Sequence, residues 1–243
     1  MRKIHFCVLP LAIALAACSS GINEVGPPEK IRVESTPERL ARGEYLANHV
    51  TLCTDCHSKR NPEIFALPVV PGTEGMGGEH HGKEMGLPGD VYVDNITPAA
   101  LGDWTDGELI RDITCGVSKN DKPLFPFMPY LAYGKLTRED LYSIVAYIRT
   151  LKPIENNVPE TKIKFPVSMF MKSMPQPADY TPSVDKNNAV EYGKYLTTIA
   201  SCKDCHTPFK KGKYIEEEAF SGGQEFPLRG GAVVRSANIT PRS

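Results

Sequence analysis

One five-residue pattern occurs twice and constrains everything around it: "CTDCH" at 53–57 and "CKDCH" at 202–206. With 7 Cys and 6 His in 243 residues, chance placement gives about 0.005 occurrences of Cys-x-x-Cys-His. The flanks repeat too. "ARGEYLANHVTLCTDCHS" (41–58) aligns with "VEYGKYLTTIASCKDCHT" (190–207) after one deletion, and "GDVYVDNITP" (89–98) has a counterpart ending in Asn238-Ile239-Thr240-Pro241. The parts come in the same order, which is the mark of a duplicated domain. The first copy is longer between Cys-x-x-Cys-His and Asn-Ile-Thr-Pro, and a Gly-rich insert around 74–86 accounts for the difference.

Paired cysteines have several uses. In an exported chain a disulfide framework is the default. A redox Cys-x-x-Cys belongs on a thioredoxin-like strand-to-helix turn, and no βαβ pattern surrounds these pairs. Zinc needs four ligands gathered in one place. The imidazole directly after each pair selects c-type haem attachment: two thiols bond the porphyrin edge while the next residue reaches the iron. Cys53, Cys56, Cys202 and Cys205 are therefore read as thioether positions, with His57 and His206 as proximal ligands of two covalently bound haem c groups.

The sixth ligand sets what the iron does, and a Met opposite His raises its potential and favours electron transfer. Met128, in "PLFPFMPYLAYGKLT" (123–137), is the candidate for the first copy, because Pro126 and Pro129 stiffen a non-helical loop around it. Met76 and Met85 are rivals on a more flexible Gly-rich stretch. Tyr130 and Tyr133 are placed at a porphyrin edge and Trp104 near the cleft. Cys115 reads as a buried small hydrophobe, His49 as a surface helix residue, and His80-His81 as solvent-facing.

The remaining chain divides around these motifs. Residues 1–17 read as a signal peptide, with a basic start, an apolar run and a small-residue end. "LAAC" (15–18) makes Cys18 the candidate lipid-modified residue, and several acyl chains there give a stable membrane anchor. Residues 18–37 form a tether, 38–152 the first domain, 153–186 a proline-rich connection, and 187–243 a partial second domain. Helices are predicted over 38–50, with Gly43 marking a close crossing, over 105–117 behind a Thr105–Glu108 capping box, and from Thr137 onward. The expected fold class is all-α with abundant coil. The formal charge of −1 offers no basic field for nucleic acid.

The second copy, as written, stops before any counterpart of Met128. The chain is expected to be a fragment of a longer protein; the alternative is a sixth ligand from Met169, Met171 or Met174, which are better read as packing residues.

"RGEYL", "CTDCH", "VYVDNITP", "WTDGELI", "FPFMPYLAYGKLTREDLYSIVAYIRTLKP", "YGKYL…CKDCH" and "FSGGQEFP…NITP" together resemble the multi-haem cytochrome c subunits of membrane dehydrogenases for alcohols and sugar acids, and the simpler dihaem c-type cytochromes. The resemblance implies two tandem class I cytochrome c-like domains, the second incomplete, at the periplasmic side of a bacterial membrane. It carries over Cys53, Cys56, His57 and Met128 for one haem and Cys202, Cys205 and His206 for the other. The leading expectation is a membrane-anchored electron carrier between a dehydrogenase-type donor and a respiratory acceptor, without a catalytic residue or a small-molecule substrate. Ser19 leans the anchor toward the outer membrane. The alternatives are a dihaem peroxidase or a haem-based redox or gas sensor, both of which need an open second iron.

Overall fold

The computed structural model describes residues 21–210, 212–228 and 231–241; the expected leader 1–17 and Cys18 lie outside the described residues. In chain order the elements are α1 (Ile22–Val25), α2 (Pro37–His49), α3 (Cys53–Cys56), β1 (His80–His81), β2 (Gly89–Tyr92), α4 (Pro98–Leu101), α5 (Asp106–Cys115), α6 (Tyr130–Tyr133) and α7 (Arg138–Ile148). The connection adds β3 (Lys162–Ile163), and the second copy adds α8 (Ala189–Ile199), α9 (Cys202–His206), β4 (Phe209–Lys210), β5 (Lys213–Tyr214), β6 (Glu225–Pro227) and β7 (Val233–Arg235).

Three threonines start the main helices of the first copy. Thr36 accepts from the Arg39 N–H with Pro37 in the first turn, and Thr137 accepts from the Asp140 N–H. Thr105 and Glu108 make both halves of a capping box. Each such cap satisfies N–H groups that the first helical turn leaves without partners. Gly116, in the left-handed region at φ 72°, stops α5 just short of the expected end.

The central packing is α2 across α7. A Cβ on Gly43 would lie 1.9 Å from the Ser143 carbonyl oxygen, so the backbones approach as only glycine permits. Arg42 grips Asp140 with two parallel bonds, Nε to Oδ1 at 2.8 Å and Nη2 to Oδ2 at 2.7 Å. Leu46, Val50, Leu141, Ile144, Val145 and Ile148 fill the seam.

The second copy docks on that crossing. Tyr195 and Ile199 of α8 are buried in the same core. The Tyr195 hydroxyl donates to Asp140 Oδ2 at 2.7 Å and accepts from the Thr137 N–H at 3.1 Å. Arg42 Nη1 donates to the Tyr192 hydroxyl at 2.9 Å. Burial pushes the Asp140 carboxyl up, but hydrogen bonds from Arg42 and Tyr195 outweigh it and hold it below its ordinary range.

The all-α expectation is incorrect: three small antiparallel sheets make the fold mixed. β1 pairs with β2 (His80↔Tyr92, His81↔Val91) and β2 with β3 (Gly89↔Ile163, Asp90↔Lys162). In the second copy β4 pairs with β5 and β6 with β7. Strands of two to four residues are too short for a period-two pattern to register, and the β3 partner lies far along the chain. His80 and His81 are accordingly strand residues: His80 Nε2 lies 3.1 Å from Asp90 Oδ1, and the His81 ring sits 4.9 Å from that of Phe127.

Two consequences are measurable. Gly43→Ala should lower stability by about 1–3 kcal/mol through overpacking, outweighing the roughly 1 kcal/mol that alanine gains in a helix; a raised melting temperature would contradict the crossing. Asp140 titrates lower folded than unfolded, so its contribution is complete above the unfolded value of about 3.9 and is lost as pH falls through the folded one. Thermal melts should therefore weaken on acidification below about pH 4, and Asp140→Asn should flatten that acid limb.

Candidate functional site

Leu52 precedes the first Cys-x-x-Cys-His with φ 53°, and Ser201 precedes the second with φ 54°. This left-handed residue breaks the chain away from α2, or from α8, and starts the short helical turn that carries both sulfurs and the imidazole. Neither pair of motif cysteines is closed into a disulfide.

The two histidines are held alike. His57 Nδ1 donates to the Asp94 carbonyl at 2.7 Å, and His206 Nδ1 donates to the Ala237 carbonyl at 2.8 Å. Each acceptor is the residue just before Asn-Ile-Thr-Pro. Asn95 Oδ1 accepts from the Thr97 N–H at 2.9 Å and the Thr97 hydroxyl at 2.8 Å. Asn238 Oδ1 accepts from the same two groups of Thr240, at 2.8 and 2.6 Å. The His57 carbonyl accepts from the Gly77 N–H at 2.8 Å and the His206 carbonyl from the Gly222 N–H at 2.7 Å. Gly77 (φ 66°) and Gly222 (φ 74°) would drive a Cβ to 2.4 Å from the Asp94 and Ala237 carbonyl carbons.

The Gly-rich stretch is therefore not simply an insert. Gly77-Gly78 is the structural counterpart of Gly222-Gly223, and the first copy's extra length falls mainly between His57 and Gly77. The repeated Asn-Ile-Thr-Pro was visible as a mark of duplication, but nothing in its sequence says that the preceding carbonyl orients an imidazole.

Cys53, His57 and Met128 line one cavity of about 410 Å³, together with apolar Ile96, Leu101, Trp104, Leu109, Ile113, Leu124, Ile144 and Ile148. Arg149 fixes one wall by donating to the Leu101 carbonyl at 2.6 Å and the Trp104 carbonyl at 2.5 Å. Tyr133 also lines the cavity and donates to the Thr51 carbonyl at 2.6 Å. Tyr130 is fully buried but is not a lining residue. Among the described lining residues Met128 is the methionine; Met76 and Met85 do not line the cavity, and Met85 Sδ lies 3.0 Å from His81 Nδ1. Cys56 sits on the exposed side of α3.

In the second copy Cys205 is exposed and Cys202 half-buried, and the Asn238 turn lies on the surface. Met169, Met171 and Met174 are in the connection, Met169 being 67% exposed. Cys115 is buried and His49 exposed, as expected.

The electrostatics suit a neutral donor set. Burial holds the His57 imidazole below its ordinary pKa, against its bond to Asp94. With Nδ1–H engaged, Nε2 keeps its lone pair for a metal. Burial pushes the Cys53 thiol up to about 11, opposed by a Thr51 hydrogen bond. Asp112, which sequence reading missed, has its carboxyl raised to about 7, first by burial and then by the charge of Asp94. Two cysteines outside any disulfide, an oriented imidazole, a thioether and an apolar hollow form a donor set that fits an iron porphyrin.

No protein-family model matches the chain. Among curated proteins it is similar to the "Alcohol dehydrogenase (quinone), cytochrome c subunit" of Gluconacetobacter polyoxogenes, 30% identical over 80% of this chain and 41% of that one. It is 31% identical to the "Fructose dehydrogenase cytochrome subunit" of Gluconobacter japonicus, over 75% of this chain and 37% of the other. A "Diheme cytochrome c-type" of Cereibacter sphaeroides is 25% identical over 95% of this chain and 78% of its own. The chain thus spans about two fifths of the length of the two dehydrogenase subunits.

The matched turns behind the histidines differ in burial, and that difference is testable. Asn95→Ala leaves the buried Thr97 N–H without an acceptor and should cost about 1–3 kcal/mol in thermal unfolding. Asn238→Ala opens the same bonds to water and should cost clearly less. Equal losses would refute the contrast.

Proposed function

On the premise that this chain belongs with the c-type cytochromes related to dehydrogenase subunits, we propose that it is a dihaem electron carrier, anchored through Cys18 at the periplasmic side of a bacterial membrane. It passes single electrons from a dehydrogenase-type donor to a respiratory acceptor and is not itself a catalyst. The observation that carries this reading is the gathering of Cys53, His57 and Met128 on one apolar cavity, with His57 Nδ1 committed to a backbone carbonyl.

Cys53 and Cys56 would hold the first haem through thioether bonds, and His57 and Met128 through its iron. Cys202, Cys205 and His206 would hold the second, and the repeated carbonyl, Asn turn and glycine behind His206 support that extension. Haem c, when bound, supplies a one-electron couple at its iron. The chain does the rest. The Asp94 carbonyl fixes the His57 tautomer and ring plane and raises its basicity as a ligand. The apolar walls keep water out, and Tyr133 braces Thr51 beside the first cysteine. Tyr195 and Ile199 of α8 are buried in the core that α2 and α7 build, and that packing joins the two attachment turns.

The lipobox-like "LAAC" supports the anchor, and among the described residues no helix is long and apolar enough to cross a membrane. The relatives' names support a dehydrogenase as the donor.

Potentiometric titration of the Met128→Ala holoprotein should show the first haem at a lower potential, because a thioether opposite imidazole raises it; an unchanged potential removes Met128 from the ligand set. Haem quantified against protein should fall from two to one per chain when Cys202 and Cys205 are both changed to Ser. A wild-type ratio of one would end the dihaem reading.

A further inference from the structure

The connection between the copies carries an apolar face that the described residues leave uncovered. Residues 164–174, "KFPVSMFMKSM", wind into two single helical turns, Val167–Met169 and Met171–Ser173. Val167, Met171 and Met174 are half-buried, and Pro175 after them is fully buried. The opposite side is open: Phe165 is 77% exposed, Met169 67% and Phe170 58%. Scattered exposed apolar residues are ordinary, but large ones clustered on one short segment mark a contact surface. The N–H groups of Ser168, Met169, Phe170 and Ser173 donate to the carbonyls of Lys164, Pro166, Val167 and Phe170 at 2.9–3.1 Å. The segment can therefore meet an apolar medium without leaving those groups bare.

Charge and position indicate what covers this face. From Thr161 to Ala178 the chain carries Lys162, Lys164 and Lys172 and no carboxylate. Lys164 and Lys172 are exposed and, among the described residues, make no ion pair; Lys162 shares the field of Glu160 with Lys122. The adjoining α1 adds one exposed carboxylate, Glu24. Gly21, the first described residue, packs directly on the segment. A Cβ there would lie 2.2 Å from the Lys172 carbonyl oxygen and 2.5 Å from the Ser173 Cα. Ile22, Asn23 and Lys172 also line one cavity. Cys18 precedes Gly21 by three residues, a reach of at most about 11 Å. An acyl chain on Cys18 would therefore enter its bilayer close to Lys172, with headgroups beside the exposed rings.

We propose that Phe165, Met169 and Phe170, flanked by Lys164 and Lys172, form a membrane-contact surface that seats the protein on a bilayer containing anionic lipid. Its position rests on the reading of Cys18 as the anchor. The rings and the thioether enter the boundary between headgroups and acyl chains, and the ammonium groups meet the headgroup charge. A lipid on a tether leaves the body free to turn. This second contact fixes which face looks at the membrane.

Co-sedimentation of the Cys18→Ser holoprotein with vesicles reads this surface by itself, because the acyl site is gone. The protein should bind vesicles of equimolar phosphatidylcholine and phosphatidylglycerol, and bind pure phosphatidylcholine vesicles about tenfold more weakly. Phe165→Ser combined with Phe170→Ser should lower binding to the anionic vesicles about tenfold. Lys164→Gln combined with Lys172→Gln should lower it by about the same factor while leaving the weak binding to phosphatidylcholine unchanged. All four side chains are exposed, so the haem spectrum of each variant should match that of the parent. No sedimentation with anionic vesicles, or sedimentation that either double variant leaves unchanged, overturns the proposal. Intact mass of the wild-type chain extracted from membranes tests the anchor separately: an unacylated Cys18 ends that reading, whereas the vesicle result decides the surface.

Discussion

The backbone contact of Gly43 with the Ser143 carbonyl underlies the rest of the molecule. It brings α2 and α7 close enough for Arg42 to reach Asp140 with two bonds. It also points the end of α2, and therefore Thr51, Cys53 and His57, toward the wall formed by Ile144 and Ile148. Asp140, with one oxygen shared between Arg42 and Tyr195, then fixes the second copy onto the first. One close approach thus sets both the depth of the cavity and the seat of the duplicated unit. Removing Arg42 would leave that buried carboxylate without its countercharge, and removing Tyr195 would take away one of its hydrogen bonds.

The duplication is retained at the level of single hydrogen bonds. In each copy a left-handed residue starts the motif turn, a glycine N–H meets the histidine carbonyl, and a backbone carbonyl receives the histidine Nδ1–H. An asparagine side chain closes the turn that presents that carbonyl. What differs is the enclosure. In the first copy Asn95 and Thr97 are buried beneath Ile154 of the connection, and Asn156 donates to the Met76 and Gly77 carbonyls. In the second the same bonds face solvent. The proline-rich stretch is thus a structural part of the first site as well as a link between copies.

Much of this was legible beforehand because it is local. Thr36, Thr105 and Thr137 act on N–H groups within three residues, so caps and helices follow from short patterns. Gly43 stood out as a glycine inside a helix, and the crossing explains it. Met128 stood out because two prolines bracket it. The strands were missed for the opposite reason: β2 finds β3 across the whole helical core, and no window of sequence contains both. Asp112 and Asn156 carry no motif, and only the folded chain gathers them around Cys53 and His57.

The sequence by itself determined the two Cys-x-x-Cys-His turns, the helix starts and the class of donor atoms, since each depends on residues a few positions apart, and the duplication, since a repeat is read by matching letters. Tertiary structure alone decided which methionine shares a cavity with His57, which carbonyl aims the imidazole, that short strands make the fold mixed, and that Asp140 joins the copies. Those outcomes depend on distances between segments far apart in the chain, and such distances exist only once α2 has crossed α7.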